Sequence, residues 1–127
     1  MSVVWNDNIP IYLQLKQRVV AMILDGLLAP GDAVPSVRQV AADYQLNPIT
    51  VSRAYQELAD EGVVEKRRGL GMFVTLDAPR QLLASERRHF LDNEWPGIAE
   101  RIVRLGLDWE ELHEQVEAAS TTTKESP

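Results

Sequence analysis

The chain contains no cysteine, which excludes a disulfide framework, a thiolate metal site and a cysteine nucleophile together. Apolar residues never run for the roughly 20 positions needed to cross a bilayer. The richest stretch, Val19 to Leu28, is cut by Asp25 and Gly26, so no membrane partner is expected. The opening MSVVWNDN has neither the basic nor the apolar region of a secretory signal, and the expected location is cytoplasmic. His89 and His113 stand alone without HExxH spacing and read as solvated surface residues, with no metal and no cofactor expected. There is no internal repeat. A length of 127 residues holds one compact domain, or a small domain with an appendage, but not a small domain joined to a full catalytic or effector domain. No enzymatic activity is expected.

What is present is unevenly distributed. The formal net charge is −6; residues 1–79 carry seven Lys/Arg against nine Asp/Glu, and residues 80–127 six against ten. The acid is mainly C-terminal. In the front part Arg38, Arg53, Lys66, Arg67 and Arg68 would gather on one side, while Asp60, Glu61 and Glu65 lie elsewhere. Local potential decides binding to phosphate, so the acidic total does not exclude nucleic acid.

Apolar residues Ile11, Leu15, Val19, Met22 and Ile23 recur at helical spacing and predict a first helix from about Pro10 to Asp25. A Pro30-Gly31 turn follows, and Val34-Pro35 is held extended, as a short strand or arm. Ser36 can cap a second helix with Gln39 three residues on, its apolar stripe being Val37, Val40, Ala41 and Tyr44. Gln45-Leu46 makes a joint. Asn47 caps a third helix, Pro48 takes its first position, and Val51, Ala54, Tyr55 and Leu58 point inward until Gly62. Its outward face is Ile49, Ser52, Arg53 and Gln56, a slender rod of the size and chemistry that enters a DNA major groove. Val63-Val64 and Met72-Phe73-Val74 read as strands joined by a tip containing Lys66, Arg67, Arg68, Gly69 and Gly71. The expected fold is therefore mainly α with a small β-hairpin wing: a winged helix-turn-helix over residues 1–79.

Asp77-Ala78-Pro79 marks a boundary, after which helical patterning resumes to about Ala119 as an arm. One helix from about Arg80 to Glu94 should kink or restart at Pro96 into a segment ending near Leu105. Asp108 with Glu111 opens a last helix. Residues 120–127, STTTKESP, have nothing to bury and are expected to be a disordered tail. Leu83, Phe90, Leu91, Trp95, Ile98, Ile102, Trp109, Leu112 and Val116 exceed what a thin pair of helices can bury alone, so a homodimer through this arm is expected. About 40 helical residues leave little volume for a ligand pocket of at least roughly 300 Å³; no small-molecule effector is assigned.

The segments PIYLQL, GDAVPSVR, NPITVSRAYQELADEG and RRGLGMFV, in this order and spacing, closely resemble GntR-type bacterial transcriptional regulators over residues 9–75. The NPxTVxRAY form and a short helical C-terminal part resemble the YtrA subgroup. The resemblance implies a dimeric repressor, paired through short helical tails, that binds a pseudo-palindromic double-stranded operator, often controlling transporter genes. It implies that Arg38 reaches a base edge or phosphate, that Thr50 and Ser52 contact DNA, and that Gly69 brings the wing tip close to the minor groove. Where better-known members often place a guanine-reading arginine, this chain has Pro48.

Blander readings stand beside these. Arg38 is a solvated side chain in most contexts; Arg53 can meet DNA or pair with an acid one turn away; Ile49 can touch a thymine methyl or buttress the joint. Arg67 and Arg68 can clamp phosphate or simply solvate a hairpin tip. Tyr44 and Tyr55 continue apolar stripes and read as core, and Trp95 and Trp109 read as a helix interface, not a ligand cage. Two other functions compete: a piece of a larger regulator with an aminotransferase-like domain, and a winged-helix protein-protein interaction module without specific DNA binding. The basic wing and the intact NPxTV cap speak against the second.

Overall fold

The computed structural model describes the backbone of residues 5–125 and the side chains of residues 5–121. The first helix, α1 (Ile11–Leu24), buries Leu15, Val19 and Ile23 at the spacing of one helical face. Its N-cap position is Pro10, and no side chain caps it. Instead the Gln14 amide donates to the Asn6 and Ile9 carbonyls at 2.7 Å and its Oε1 accepts from the Asn6 amide, so the preceding segment folds onto the first turn. Helices α2 (Val37–Tyr44) and α3 (Pro48–Asp60) form as their caps dictate. Between them Gln45 takes the left-handed conformation, φ 55°, and the Leu46 amide returns to the Ala41 carbonyl at 2.9 Å, closing the joint as a helix C-cap does.

Strands β1 (Val64–Arg67) and β2 (Gly71–Val74) pair antiparallel, with Val64 opposite Val74 and Arg67 opposite Gly71. The extended segment expected at Val34-Pro35 lies along β2: Ala33 bridges Phe73, and the Val34 amide donates to the Met72 carbonyl at 2.9 Å. The hairpin is apolar at its root and polar towards its tip, so it is anchored at Val64 and Val74 and projects beyond them.

Helix α3 packs on α1, α2 and β1 and carries the centre of the core, with Val51, Ala54 and Leu58 fully buried. Tyr55 is core, as its stripe implied, and its hydroxyl donates to the Pro35 carbonyl at 2.6 Å, satisfying a polar group that burial would otherwise penalise. Burial raises the Tyr55 phenol to about 12, with the nearby Tyr44 adding to the shift.

Helix α4 (Ala78–His89) begins earlier than the boundary placed at Pro79, and Ala78 and Leu82 are buried in the winged-helix core. The chain accordingly divides after Glu86, with the second unit starting at Arg87. The boundary moves because two apolar residues after the Asp-Ala-Pro signal still complete the first core.

In the second unit the helical backbone does not break at Pro96. A π turn, Phe90–Glu94, precedes α5 (Trp95–Leu105), with the Trp95 amide donating to the Phe90 carbonyl. The proline ring and missing amide disturb the ladder just ahead of Pro96, and the wider turn absorbs that disturbance without ending the helix. Helix α6 (Trp109–Glu125) passes the end expected at Ala119. The expected tail 120–127 is thus helical through Glu125, and residues 126–127 lie outside the described residues. The tail's lack of apolar residues did not stop the helix, because extending a formed helix costs little and Thr121 satisfies its hydroxyl on the Glu117 carbonyl at 3.1 Å.

Candidate nucleic-acid interface

The site is assembled from the start of α2, the outward face of α3 and the hairpin. Ser36 stands in extended conformation before α2, its Oγ accepting from the Gln39 amide at 3.0 Å. At the second position of the helix, Arg38 is exposed, and its side chain has no hydrogen bond or ion pair among the described residues. Asn47 Oδ1 accepts from the Ile49 amide at 2.9 Å, so Asn47 fixes the start of the recognition helix and holds Ile49, 76 % exposed, at its leading end. Thr50 is half-buried and Ser52 exposed on the following turn.

A groove of about 380 Å³ lies between the start of α2, α3 and the hairpin: Ser36, Ser52, Gln56 and Lys66 line it together with the apolar Val34, Val37, Leu70 and Met72. Three elements distant in sequence thus present hydroxyls, an amide and an ammonium to one channel. Gln56 also donates to Asp60 at 2.9 Å along its own helix.

Two of the expected cations also have partners within the protein. The Arg53 guanidinium lies 3.8 Å from the centre of the Tyr12 ring, donates to the Tyr12 hydroxyl at 3.1 Å, and pairs with Glu57 at 3.7 Å. Arg53 pairs with an acid one turn on, Tyr12 adds a second partner from α1, and the side chain still exposes 61 % of its surface. Glu57 also meets Lys16, which in turn meets Glu61. Burial alone would lower the Lys16 pKa, but hydrogen bonds and charge from Glu61 and Glu57 outweigh it and raise the ammonium above its ordinary value. Glu57 and Glu61, near the end of α3, are therefore bound to α1. The pairing of Arg53 with Glu57 was legible as an i,i+4 spacing; Tyr12 and Lys16 were not, since they arrive from another helix some 40 positions away.

On the wing, Arg67 pairs with Glu65 at 3.3 Å and lies 4.3 Å over the Phe73 ring. Lys66 and Arg68 have no such partner among the described residues. Gly69 has φ 77°, and a Cβ placed on it would meet nothing within 4 Å, so its tip is open and its constraint is conformational. Lys66, grouped with the other cations in the sequence but given no contact of its own, lines the groove beside Ser52 and Gln56 of α3, opposite Met72 in the hairpin register.

The arm residues are distributed differently. Trp95, Ile102 and Leu112 are half-buried, whereas Leu83, Phe90, Leu91, Ile98, Trp109 and Val116 are exposed. Among the described residues of the second unit none is buried. No group of His, Asp or Glu that could hold a metal occurs among the described residues, and no helix there is long and apolar enough to cross a membrane.

A capped recognition helix beside a basic, glycine-tipped hairpin defines a winged-helix DNA-binding regulator. Residues 11–74 match the model of the bacterial regulatory proteins of the gntR family, and the chain belongs to that family. It is 34% identical over 125 residues, 93% of this chain and 90% of the other, to the HTH-type transcriptional repressor YtrA of Bacillus subtilis, in keeping with the resemblance seen in the motifs. A GntR family transcriptional regulator from Listeria monocytogenes has a similar structure, with TM-score 0.72 at 28% identity, covering 90% of this chain and 98% of that one. The AraR DNA-binding domain in complex with operator ORX1 shares the fold, with TM-score 0.55 at 20% identity, over 59% of this chain and 95% of that one.

Proposed function

We propose that this regulator is a repressor that binds a pseudo-palindromic operator as a homodimer. Helix α3 enters the major groove and presents Ile49, Thr50, Ser52 and Gln56 to base edges, with Arg38 reaching from the start of α2. The observation that carries this is the groove between α3 and the wing. When a helix lies in the major groove and a hairpin beside it meets the adjacent minor groove, one sugar-phosphate strand must pass between them. The channel lined by Ser36, Ser52, Gln56 and Lys66 supplies donors for that strand, and unpaired Arg68 supplies charge at its outer end. Arg53, occupied by Tyr12 and Glu57, supports the helix from behind and is left out of the contact set.

Homodimer formation is supported by the second unit, which leaves Phe90, Leu91, Ile98, Trp109 and Val116 exposed. A patch of this kind on a small helical unit needs a partner, and a second copy related by a two-fold axis would match a pseudo-palindrome. The reading is tested with the full-length protein and a randomised duplex: affinity should fall steeply with salt, and repeated selection should enrich an inverted repeat. Salt-insensitive or absent binding would favour the interaction-module reading.

A further inference from the structure

We infer that Leu70 reads the minor groove as an apolar wedge at the wing tip, and that each half-site therefore carries an A·T-rich step beneath the wing. The inference rests on the operator-binding reading above and adds a specificity determinant that no hydrogen-bonding residue supplies.

Arg68, Gly69 and Leu70 form the loop between the paired residues Arg67 and Gly71. The Leu70 amide donates back to the Arg67 carbonyl at 2.9 Å, which fixes the loop as a tight turn. Leu70 is 71 % exposed. Its neighbours Gly69 and Gly71 have φ 77° and 106°, and a Cβ on either would meet nothing within 4 Å. The tip is accordingly thin and open at its two glycines, and beside Arg68 it carries one apolar side chain, Leu70. Turns ordinarily take polar residues, and a leucine 71 % exposed two positions after Arg68 gains little in the free protein. It gains more when something apolar covers it.

The charge around it selects the cover. Lys66, Arg67 and Arg68 precede the tip in sequence, and Leu70 also lines the channel between α3 and the wing. With a sugar-phosphate strand seated in that channel, the tip falls over the next groove, the minor one. That groove is roughly 6 Å wide, room for a glycine-flanked leucine against its sugar walls.

The floor of the groove then discriminates. At G·C pairs the guanine amine projects into it, and a leucine would bury that donor without an acceptor. At A·T pairs no amine obstructs the side chain, and pyrimidine-purine steps such as TA open at low cost to an inserted apolar group. A·T-rich sequence also narrows the groove and strengthens its negative potential, to the benefit of the arginines beside Leu70.

The test is parallel selection of duplexes from a randomised pool with the full-length protein and its Leu70→Ala and Leu70→Met variants. Circular dichroism establishes that each is folded, as the exposure of Leu70 leads one to expect. The unsubstituted protein should return a core motif flanked by positions favouring A·T over G·C roughly fivefold or more. Leu70→Ala should keep the core and lose the flanking preference, and Leu70→Met should retain both. A flanking preference that survives in Leu70→Ala, or is absent from the unsubstituted protein while the core is present, overturns this inference alone. If no motif is enriched at all, operator binding itself fails and the wedge fails with it.

Discussion

At the scale of single residues, the local chemistry of this chain was largely open to reading. Ser36 and Asn47 cap the helices their positions implied, because capping depends on neighbours two or three residues away. Gly69 does sit at positive φ. Since a Cβ there meets no neighbour, Gly69→Val should change the tip's conformation without disturbing the core. The expected result is an unchanged circular dichroism spectrum with affinity for duplex DNA reduced at least about tenfold, the loss of roughly one charge-assisted contact; equal affinity for the two proteins would make the wing a spectator. Less legible were the pairings of long side chains: nothing in the sequence reading of Arg67, as a phosphate clamp or a solvated tip residue, indicated that it lies over Phe73.

Tyr55 provides a residue-scale test of the core. Its phenol is raised to about 12 by burial, against about 10 in the unfolded chain. The folded state therefore keeps the proton after the unfolded state has released it. Stability should be full below about pH 10 and fall between pH 10 and 12, by up to about 2–3 kcal/mol. Lys16, with its pKa also raised, acts in the same direction, since its ammonium is favoured in the fold and lost as pH rises. Urea unfolding midpoints of the protein and Tyr55→Phe at pH 8, 10 and 11.5 measure this. The variant should start lower, having lost the bond to the Pro35 carbonyl, and fall less steeply; parallel curves would contradict the assignment.

Elements were legible in type and order, and the ends that differed are those of the C-terminal helices. The sequence patterning placed α1, α2, α3 and the hairpin correctly because caps, apolar periodicity and glycines agree there. It left the form of the disturbance at Pro96 open, since a proline shows that the ladder is disturbed but not whether a kink, a break or a π turn absorbs it. It also stopped α6 too soon, since low apolar content predicts lack of burial and says little about whether an existing helix continues. The fastening of α1 to α3 could not be read, because it depends on how two helices cross. Tyr12 and Arg53 form that fastening, and a double-mutant cycle with Tyr12→Ala and Arg53→Ala should give a coupling of about 0.5–1 kcal/mol. Additive effects on stability, with a loss of DNA affinity confined to Arg53→Ala, would return Arg53 to the DNA-facing set.

For the whole molecule, the division into a winged helix and an arm was visible in composition, but the line between them was drawn at Pro79 and not after Glu86. Leu82, buried in the first unit, carries no mark in the sequence that separates it from Leu83, which is exposed. This matters for dissection. A truncation after Pro79 would remove a core residue, whereas one after His89 keeps all of α4. The shorter protein ending at His89 should be a folded monomer in sedimentation analysis at concentrations where the full chain is a dimer, and its affinity for a two-half-site duplex should drop by at least about 100-fold as avidity is lost. A stable dimer of the truncated form would place the pairing surface outside the arm.

The account's central claim is that helices α2 and α3 read sequence while the cations of the wing and its groove hold phosphate. The most direct measurement is a set of binding isotherms, over a range of salt, for the full-length protein, Arg38→Ala and the double variant Lys66→Ala/Arg68→Ala on a selected operator and on random duplex. Arg38→Ala should cost about 1–3 kcal/mol on the operator and much less on random DNA, lowering the specificity ratio. The double variant should weaken both duplexes alike and reduce the slope of log affinity against log salt by about 2. If Arg38→Ala weakens both duplexes equally while the double variant loses only the operator, the division of labour between helices and wing is wrong.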